Sequence, residues 1–327
     1  MRRLSDVLKE QYGEKVYKLS LSAGCTCPNR DGTAGTGGCT FCSEGGSGDF
    51  AAAPAPVSVQ IEEAKKKIAA KTDARKFIAY FQSFTNTYGD PGRLKALYQE
   101  TLQRDDIVIL SLGTRPDCLG DDVMEMLREL AGKPAPAEKG GMPECSAPAA
   151  SAAIGKPAPV PSAAPEKPIW IELGLQTIHE RTAQRINRCY PLSVFEESYR
   201  RLKTEGFAVI VHVIFGLPGE TRSDMLDTVR YLASLAPPPD GVKLQMLHIL
   251  RGTALGAKYE KESFPLMTME EYADLVAESI GILPEETVIH RMTGDGPKKL
   301  LIAPDWTRDK KKVLNTINRR LREPAER

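Results

Sequence analysis

No apolar run in this 327-residue chain is long enough to cross a bilayer, so its sequence offers no membrane-spanning helix. The opening stretch MRRLSDVLKEQYGEK lacks the apolar core of a signal peptide. Charge of one sign is missing too: 44 basic residues face 43 acidic ones. The net charge of +1 gives no global electrostatic argument for a polyanionic partner. Cysteines number seven, an odd count that does not suit a disulfide framework. Three or four of them crowd one loop and the others scatter, which is a metal pattern suited to a reducing compartment. We therefore expect a cytoplasmic protein with no membrane partner. The length is long for one ordinary domain and normal for a single α/β barrel with an extension.

What is present begins with Cys27, Cys39 and Cys42, in the run CPNRDGTAGTGGCTFC, spaced C-x11-C-x2-C. The loop follows an extended segment, so the thiols ride on the first strand-to-helix connection. Three thiolates can hold three corners of a [4Fe–4S] cluster and leave one iron open to a substrate or cofactor. Cys25, in GCTC, offers a fourth thiol that would close a tetrahedral zinc site. Cys-x2-Cys pairs serve both metals, and the loop alone leaves the choice open.

Extended apolar segments alternate with helical patterns along the chain. The expected strands are Val16–Ala23, Lys76–Gln82, Ile107–Leu112, Ile169–Leu175, Ala208–Phe215 and Val242–Leu250. The expected helices are Val57–Ala70, Gly92–Gln103, Asp121–Leu130, Ser193–Thr204, Arg222–Leu235 and Met269–Leu283. Near-continuous apolar strands joined by helices predict a parallel sheet covered by helices. Right-handed crossovers then give a barrel or a doubly wound sheet, with ligands at the carboxyl ends of the strands in either. One segment does not belong: Lys133–Pro168, rich in Ala and Pro, has no leucine and no aromatic residue. It cannot bury enough surface to offset chain entropy, so a disordered, solvated insertion is expected, with Cys145 inside it.

Taken together, KVYKLSLSAG, TCPNRDGT, GGCTFC, FQSFTNTY, SLGTRPDCL, WIELGLQTIHERTAQRIN, HVIFGLPGET, LHILRGT and IHRMTGDGPKKLLIAPDW are specific, and they cover most of the chain outside the insertion. On them the chain resembles the radical S-adenosylmethionine (SAM) superfamily. More closely it resembles the YhcC-like bacterial group, related to the radical domain of the elongator catalytic subunit. The resemblance implies an α/β fold: a partial (βα)6 TIM-like barrel with a C-terminal α/β extension. Its domains would be 1–132 and 169–255 for the barrel, 133–168 for the insertion and 256–327 for an extension capping the barrel. It also implies a [4Fe–4S] cluster on Cys27, Cys39 and Cys42. SAM would be cleaved reductively there to a 5′-deoxyadenosyl radical that abstracts hydrogen, with electrons from a flavodoxin- or ferredoxin-type donor. Two departures stand out. An apolar residue is usual where Cys25 stands, and the insertion is not a group feature.

The resemblance assigns further roles residue by residue. Phe41 would shield the cluster or simply pack in the core. Thr85 and Asn86, where the superfamily carries an acidic glycine motif, could accept hydrogen bonds from the SAM ammonium group or merely cap a loop. Glu172 and Gln176 would meet ribose hydroxyls or the methionine moiety. A buried pair of Glu172 with a barrel arginine, such as Arg115, is the structural alternative. Arg188, or Arg185, would fork onto the SAM carboxylate or lie on the surface. Gly216 and Gly219 would approach adenine, with Glu220 and Thr221 capping the next helix. His212 reads as a satisfied core or barrel-lining histidine. The catalytic candidates are His248, Arg251, His290 and Asp295.

The last helix, Asp309–Arg322, is basic, with Lys310, Lys311, Lys312, Arg319, Arg320 and Arg322 beside an apolar face of Val313, Leu314, Ile317 and Leu321. That charge run is either a solvated face or a surface for RNA phosphates. With the kinship to the elongator subunit, it makes a tRNA base, a wobble uridine side chain, the leading substrate. A small metabolite is the other enzyme reading. The non-enzymatic reading is a zinc-stabilised RNA-binding protein with Cys25 as fourth ligand.

Overall fold

A computed structural model describes residues 1–46, 51–53, 55–134, 167–294 and 296–323. Cys145, Asp295 and most of the Lys133–Pro168 insertion lie outside the described residues.

The chain opens with β1 (Arg2–Arg3), α1 (Leu4–Tyr12), β2 (Val16–Leu21), α2 (Val57–Ile68), β3 (Lys76–Phe81) and α3 (Pro91–Leu102). It continues through β4 (Ile107–Thr114), α4 (Asp121–Leu130), β5 (Ile169–Gln176), α5 (Glu180–Arg185), α6 (Leu192–Thr204), β6 (Ala208–Phe215) and α7 (Arg222–Ser234). Then come β7 (Gly241–Met246), β8 (Ile249–Leu250), α8 (Ala254–Lys261), α9 (Met269–Ile282), β9 (Val288–Arg291), β10 (Leu301–Ala303) and α10 (Lys310–Arg320). Eight strands form one sheet in the order β1-β9-β7-β6-β5-β4-β3-β2. Every neighbouring pair in it is parallel, and the sheet curls into a half-barrel with helices outside. The short strands β8 and β10 pair antiparallel, apart from that sheet.

Alternation along the strands explains both faces. Leu19, Leu21, Phe81, Leu112, Ile171, Leu173, Val211 and Leu244 belong to the core buried under the helices. The intervening positions Lys18, Tyr80, Ser111, Glu172, His212 and Lys243 meet one another on the other face, inside the barrel. The strands are thus apolar on one face and polar on the other, where a near-continuous apolar run was expected. Below this polar layer, Ile78 and Ile109 pack on Leu8 of α1, so that helix plugs the amino end of the barrel. Helix starts are written locally. Thr221 with Asp224 and Thr268 with Glu271 form capping boxes on α7 and α9, and Asp90 caps α3 ahead of Pro91.

The sixth expected strand differs from its expectation of Val242–Leu250. β7 stops at Met246, the Leu247 N–H turns to the Phe215 carbonyl at 2.9 Å, and Ile249–Leu250 leaves to pair with β10. His248 therefore lies in a bend and not on a strand. Two further strands extend the expected six: β9 docks beside β7, and β1 beside β9. The last helix spans Lys310–Arg320 and packs Val313 and Ile317 into the core. Among the described residues no helix is long and apolar enough to cross a membrane.

Candidate active site

The carboxyl ends of the strands open into a cavity of about 250 Å³. The thiols of Cys27, Cys39 and Cys42 line one end of it. Their loop is held by the Arg30 N–H to the Cys27 carbonyl (2.8 Å) and by the Cys42 N–H to the Cys39 carbonyl (2.9 Å). The loop after β3 joins it through the Thr85 N–H to the Thr26 carbonyl at 3.2 Å. Cys39 is pushed well above the ordinary thiol range, first by its hydrogen bond with Cys42, then by burial and by the negative charge of Cys42. Cys27 adds to the push, and Arg115 opposes it. A buried Cys39 thiol held this way resists ionising until positive charge arrives, which is the donor chemistry a metal cluster satisfies.

Cys25 is not among the residues that line this cavity. Its Sγ receives Nη2 of Arg93 at 3.6 Å, on the far side of the loop, and burial raises its thiol. Among the described residues no three metal-binding side chains converge on the position of a single ion. A closed zinc tetrahedron needs four ligands around one point. Cys25 is thus turned to Arg93 while Cys27, Cys39 and Cys42 line the cavity. None of the six described cysteines forms a disulfide.

Two backbone features sit at the cavity wall. Phe84 and Gln176, both lining it, adopt left-handed backbone with φ +57 and +64. Non-glycine residues hold that conformation at a cost, and such positions gather at functional sites.

The polar interior lies at the other end. Oε1 of Glu172 accepts from Lys18 Nζ at 2.9 Å and Ser111 Oγ at 2.8 Å. Oε2 accepts from His212 Nε2 at 2.8 Å and from Lys243 Nζ, which also donates to the Tyr80 hydroxyl at 3.2 Å. Both lysine ammonium groups stand 4.3 Å from the centre of the Tyr80 ring. Burial alone would raise the Glu172 carboxyl, yet Lys18, Lys243 and His212 hold it well below the usual range. Burial lowers Lys243, and the charges of Lys18 and Arg291 add to that. Arg291 also lines the cavity, donating to Gln245 Oε1 at 3.2 Å. Three basic side chains, Lys18, Lys243 and Arg291, thus share this end with the one carboxylate of Glu172.

The expected site residues separate into groups. Thr85, Glu172, Gln176 and His248 line the cavity. Asn86 does not: its amide donates to the carbonyls of Phe81 (3.0 Å) and Gly113 (2.9 Å), so it braces the loop. Glu172 pairs with Lys18 and Lys243 and not with Arg115, whose fork is closed on Asp117 at 2.9 and 2.6 Å. Four donors saturate its oxygens, so a ligand there would displace one of them.

Arg188 is fully buried and directs its guanidinium at the carbonyls of Leu175, Thr177 and Tyr190, away from the cavity wall. Arg115 and Arg30 are the arginines that line the cavity with the thiols. Gly216 and Gly219 turn the chain with φ +83 and +82 outside the cavity lining. Glu220 accepts from Thr177 Oγ1 at 2.5 Å, and capping falls to Thr221 with Asp224. Arg251 is exposed and holds β10 through its N–H to the Leu300 carbonyl at 2.7 Å. His290 packs edge-on against Trp170, centroids 5.0 Å apart, below the polar layer. Asp295 lies outside the described residues.

Several lining residues escaped the sequence reading: Tyr80, Tyr190 and Gln245. Lys18, Tyr80, Lys243 and Gln245 were detectable. Each is a polar or amphipathic side chain at alternate positions of an apolar strand, the signal that flagged Glu172.

A parallel half-barrel with three thiols on its first loop defines the class, and comparison with known proteins agrees. The profile of the radical SAM superfamily matches residues 162–232, and that of the Radical_SAM C-terminal domain matches residues 239–323. YtqA of Bacillus subtilis is 39% identical over 315 residues, covering 96% of this chain and 87% of YtqA. YhcC of Escherichia coli K12 is 31% identical over 316 residues, covering 97% and 90%. The solved structure of an archaeal Elp3 from Methanocaldococcus infernus superposes with a TM-score of 0.61 at 13% identity. It covers 93% of this chain and 63% of the archaeal one, and shares the fold. The chain belongs to the radical SAM superfamily, in its YhcC-like group. It is an enzyme of that class, with a [4Fe–4S] cluster and SAM as cofactors.

Proposed function

We propose that this enzyme abstracts a hydrogen atom from the side chain of a tRNA wobble uridine. Cluster and SAM together supply the radical that removes the hydrogen; the protein binds, orients and excludes water. Cys27, Cys39 and Cys42 would hold the cluster, with Arg115 as the neighbouring cation. Thr85 and Gln176 offer polar groups beside the thiols for SAM. Phe41, Ile214, Met246 and Leu250 give the cavity its apolar wall. Residues 1–132 and 169–255 act as the barrel and 256–327 as the part that closes it. A flavodoxin- or ferredoxin-type protein would deliver the electron in the cytoplasm.

The observation that carries the tRNA reading is a groove on α10 where Lys311, Lys312 and Arg319 outnumber Asp309, with Asn315 and Thr316 between them. The chain that rims the cavity at Arg291, Gly294 and Pro297 runs on through β10 into this helix. Backbone phosphates on α10 with a base directed to the cavity would use both surfaces. The Arg291 guanidinium on the cavity wall and the basic side chains on Glu172 favour a reacting side chain that carries negative charge. Kinship with the elongator subunit points to the same substrate class. The test is nucleoside analysis of tRNA from a deletion strain, before and after incubation with reconstituted enzyme, SAM and reductant. A changed wobble uridine restored by the enzyme is expected. Unaltered tRNA would move the substrate to a small metabolite.

A further inference from the structure

Asn29 lies two residues after Cys27 and is fully buried. Its Nδ2 donates to the Asn187 carbonyl at 2.5 Å and to Sγ of Cys39 at 3.7 Å. The orientation of the amide is fixed, because a carbonyl oxygen can only be met by the NH2 end. One of the two N–H bonds then serves Asn187, and the other points at the sulfur. Oδ1, at the opposite end, is buried with no hydrogen-bond partner. An orphaned buried acceptor costs about 1–3 kcal/mol, so its retention asks for an explanation.

The loop is shaped around this amide. A Cβ on Gly35 would stand 2.4 Å from Asn29 Oδ1 and 2.8 Å from Cys189 Sγ, so only glycine fits there. Asn187, held in left-handed backbone at φ +53, donates its own amide to the carbonyls of Thr36 (3.1 Å) and Gly38 (2.9 Å). The Thr40 N–H meets the Ile186 carbonyl at 3.0 Å. Segment 186–189 therefore clasps the cysteine loop, and Asn29 within the clasp also reaches the Cys39 thiol.

We propose that Asn29 is a positioning residue whose amide N–H, aimed at Cys39 sulfur, raises the reduction potential of the cluster. The assignment rests on Cys39 being a cluster ligand. Hydrogen bonds to ligand sulfurs are among the protein's levers on cluster potential. A thiolate is a stronger acceptor than a thiol, so the contact strengthens in the loaded enzyme. Reduction adds negative charge to cluster and sulfurs, and a donor fixed in a buried site favours that state. Asn187 holds the donor in place through its carbonyl, while its own Oδ1 accepts from the Cys189 thiol at 3.2 Å.

The test is an EPR-monitored redox titration of anaerobically reconstituted protein. Asn29→Leu and Asn29→Asp should keep full iron and sulfide yet shift the potential negative. The expected loss is roughly tenfold in the reduction equilibrium, about 59 mV for one electron. Asn187→Gly, which frees the Thr36 and Gly38 carbonyls but leaves the sulfur contact, should lower thermal stability and leave the potential in place. A full cluster at the wild-type potential in both Asn29 variants overturns the proposal. Should neither variant hold a cluster, pulsed EPR of wild-type enzyme labelled with 15Nδ2-asparagine decides. A nitrogen coupling supports the contact, and its absence refutes it. A wild type that takes up no iron defeats the ligand assignment and this proposal with it. A loaded cluster with an unmoved potential defeats this proposal alone.

Discussion

Nε2 of His212 stands 2.8 Å from Oε2 of Glu172, in the interior of the half-barrel, with Lys243 on the same carboxylate oxygen. The ring must donate, because Glu172 is held ionised. Burial and the charge of Lys243 pull the His212 imidazolium down to about 4, although Glu172 itself favours it. The histidine is therefore neutral while the carboxylate carries charge.

That assignment fixes the sign of the acid response. Between pH 6.5 and about 4 an unfolded His212 binds a proton that the folded one refuses. Stability then falls as the pH falls through that window. Below about 4.5 the depressed Glu172 carboxyl adds a second loss. Urea melts from pH 7 to 4 should show the decline, and His212→Asn should flatten part of its upper portion. A variant with the wild-type slope would contradict the neutral assignment.

Removing the carboxylate should be worse than removing the whole charge cluster. Glu172→Leu strands Lys243 and Lys18 in the barrel and should cost about 3–5 kcal/mol in urea unfolding. Adding Lys243→Met to it should recover much of that loss, since one buried ammonium no longer lacks a counter-charge. Equal stability of the single and double variants would deny the coupling.

The cysteines should divide three to one. Cys27→Ala, Cys39→Ala and Cys42→Ala should each lose iron and acid-labile sulfide after anaerobic reconstitution. Cys25→Ala should keep both, because its thiol faces Arg93 and not the cavity. Iron and sulfide analysis of the four proteins checks it; loss of iron in Cys25→Ala would revise the ligand set.

On α10 the charges are not equivalent. Arg320 is tied to Asp274 at 2.7 Å and Glu323 at 3.0 Å, whereas Lys311, Lys312 and Arg319 line the groove, Arg319 with Glu323 at 3.9 Å. Reversing those three to Glu should weaken tRNA binding and reduce its salt slope by about 0.7–0.9 per lost phosphate contact. SAM cleavage without substrate should persist, since that chemistry lies at the strand ends. Filter binding across salt concentrations would show an unchanged slope if the helix only faces solvent.

The sequence by itself determined the cysteine triplet, the alternation of strands and helices, and the placing of polar motifs at strand ends, because spacing and periodicity are local properties. It also flagged Glu172, since a carboxylate in an apolar strand must find a partner. Only the tertiary structure decided who the partners are. Arg188 was weighed for the SAM carboxylate and gives Nε and Nη1 to three carbonyls; Arg115, the alternative partner for Glu172, is closed on Asp117. Cys25 and Cys27 stand two residues apart, yet one turns to Arg93 and the other to the cavity. A side chain's donors go wherever the nearest unsatisfied group lies, and here that group comes from a strand or loop distant in sequence. Lys18 and Glu172, 154 residues apart, meet because parallel crossovers bring their strands to the same layer.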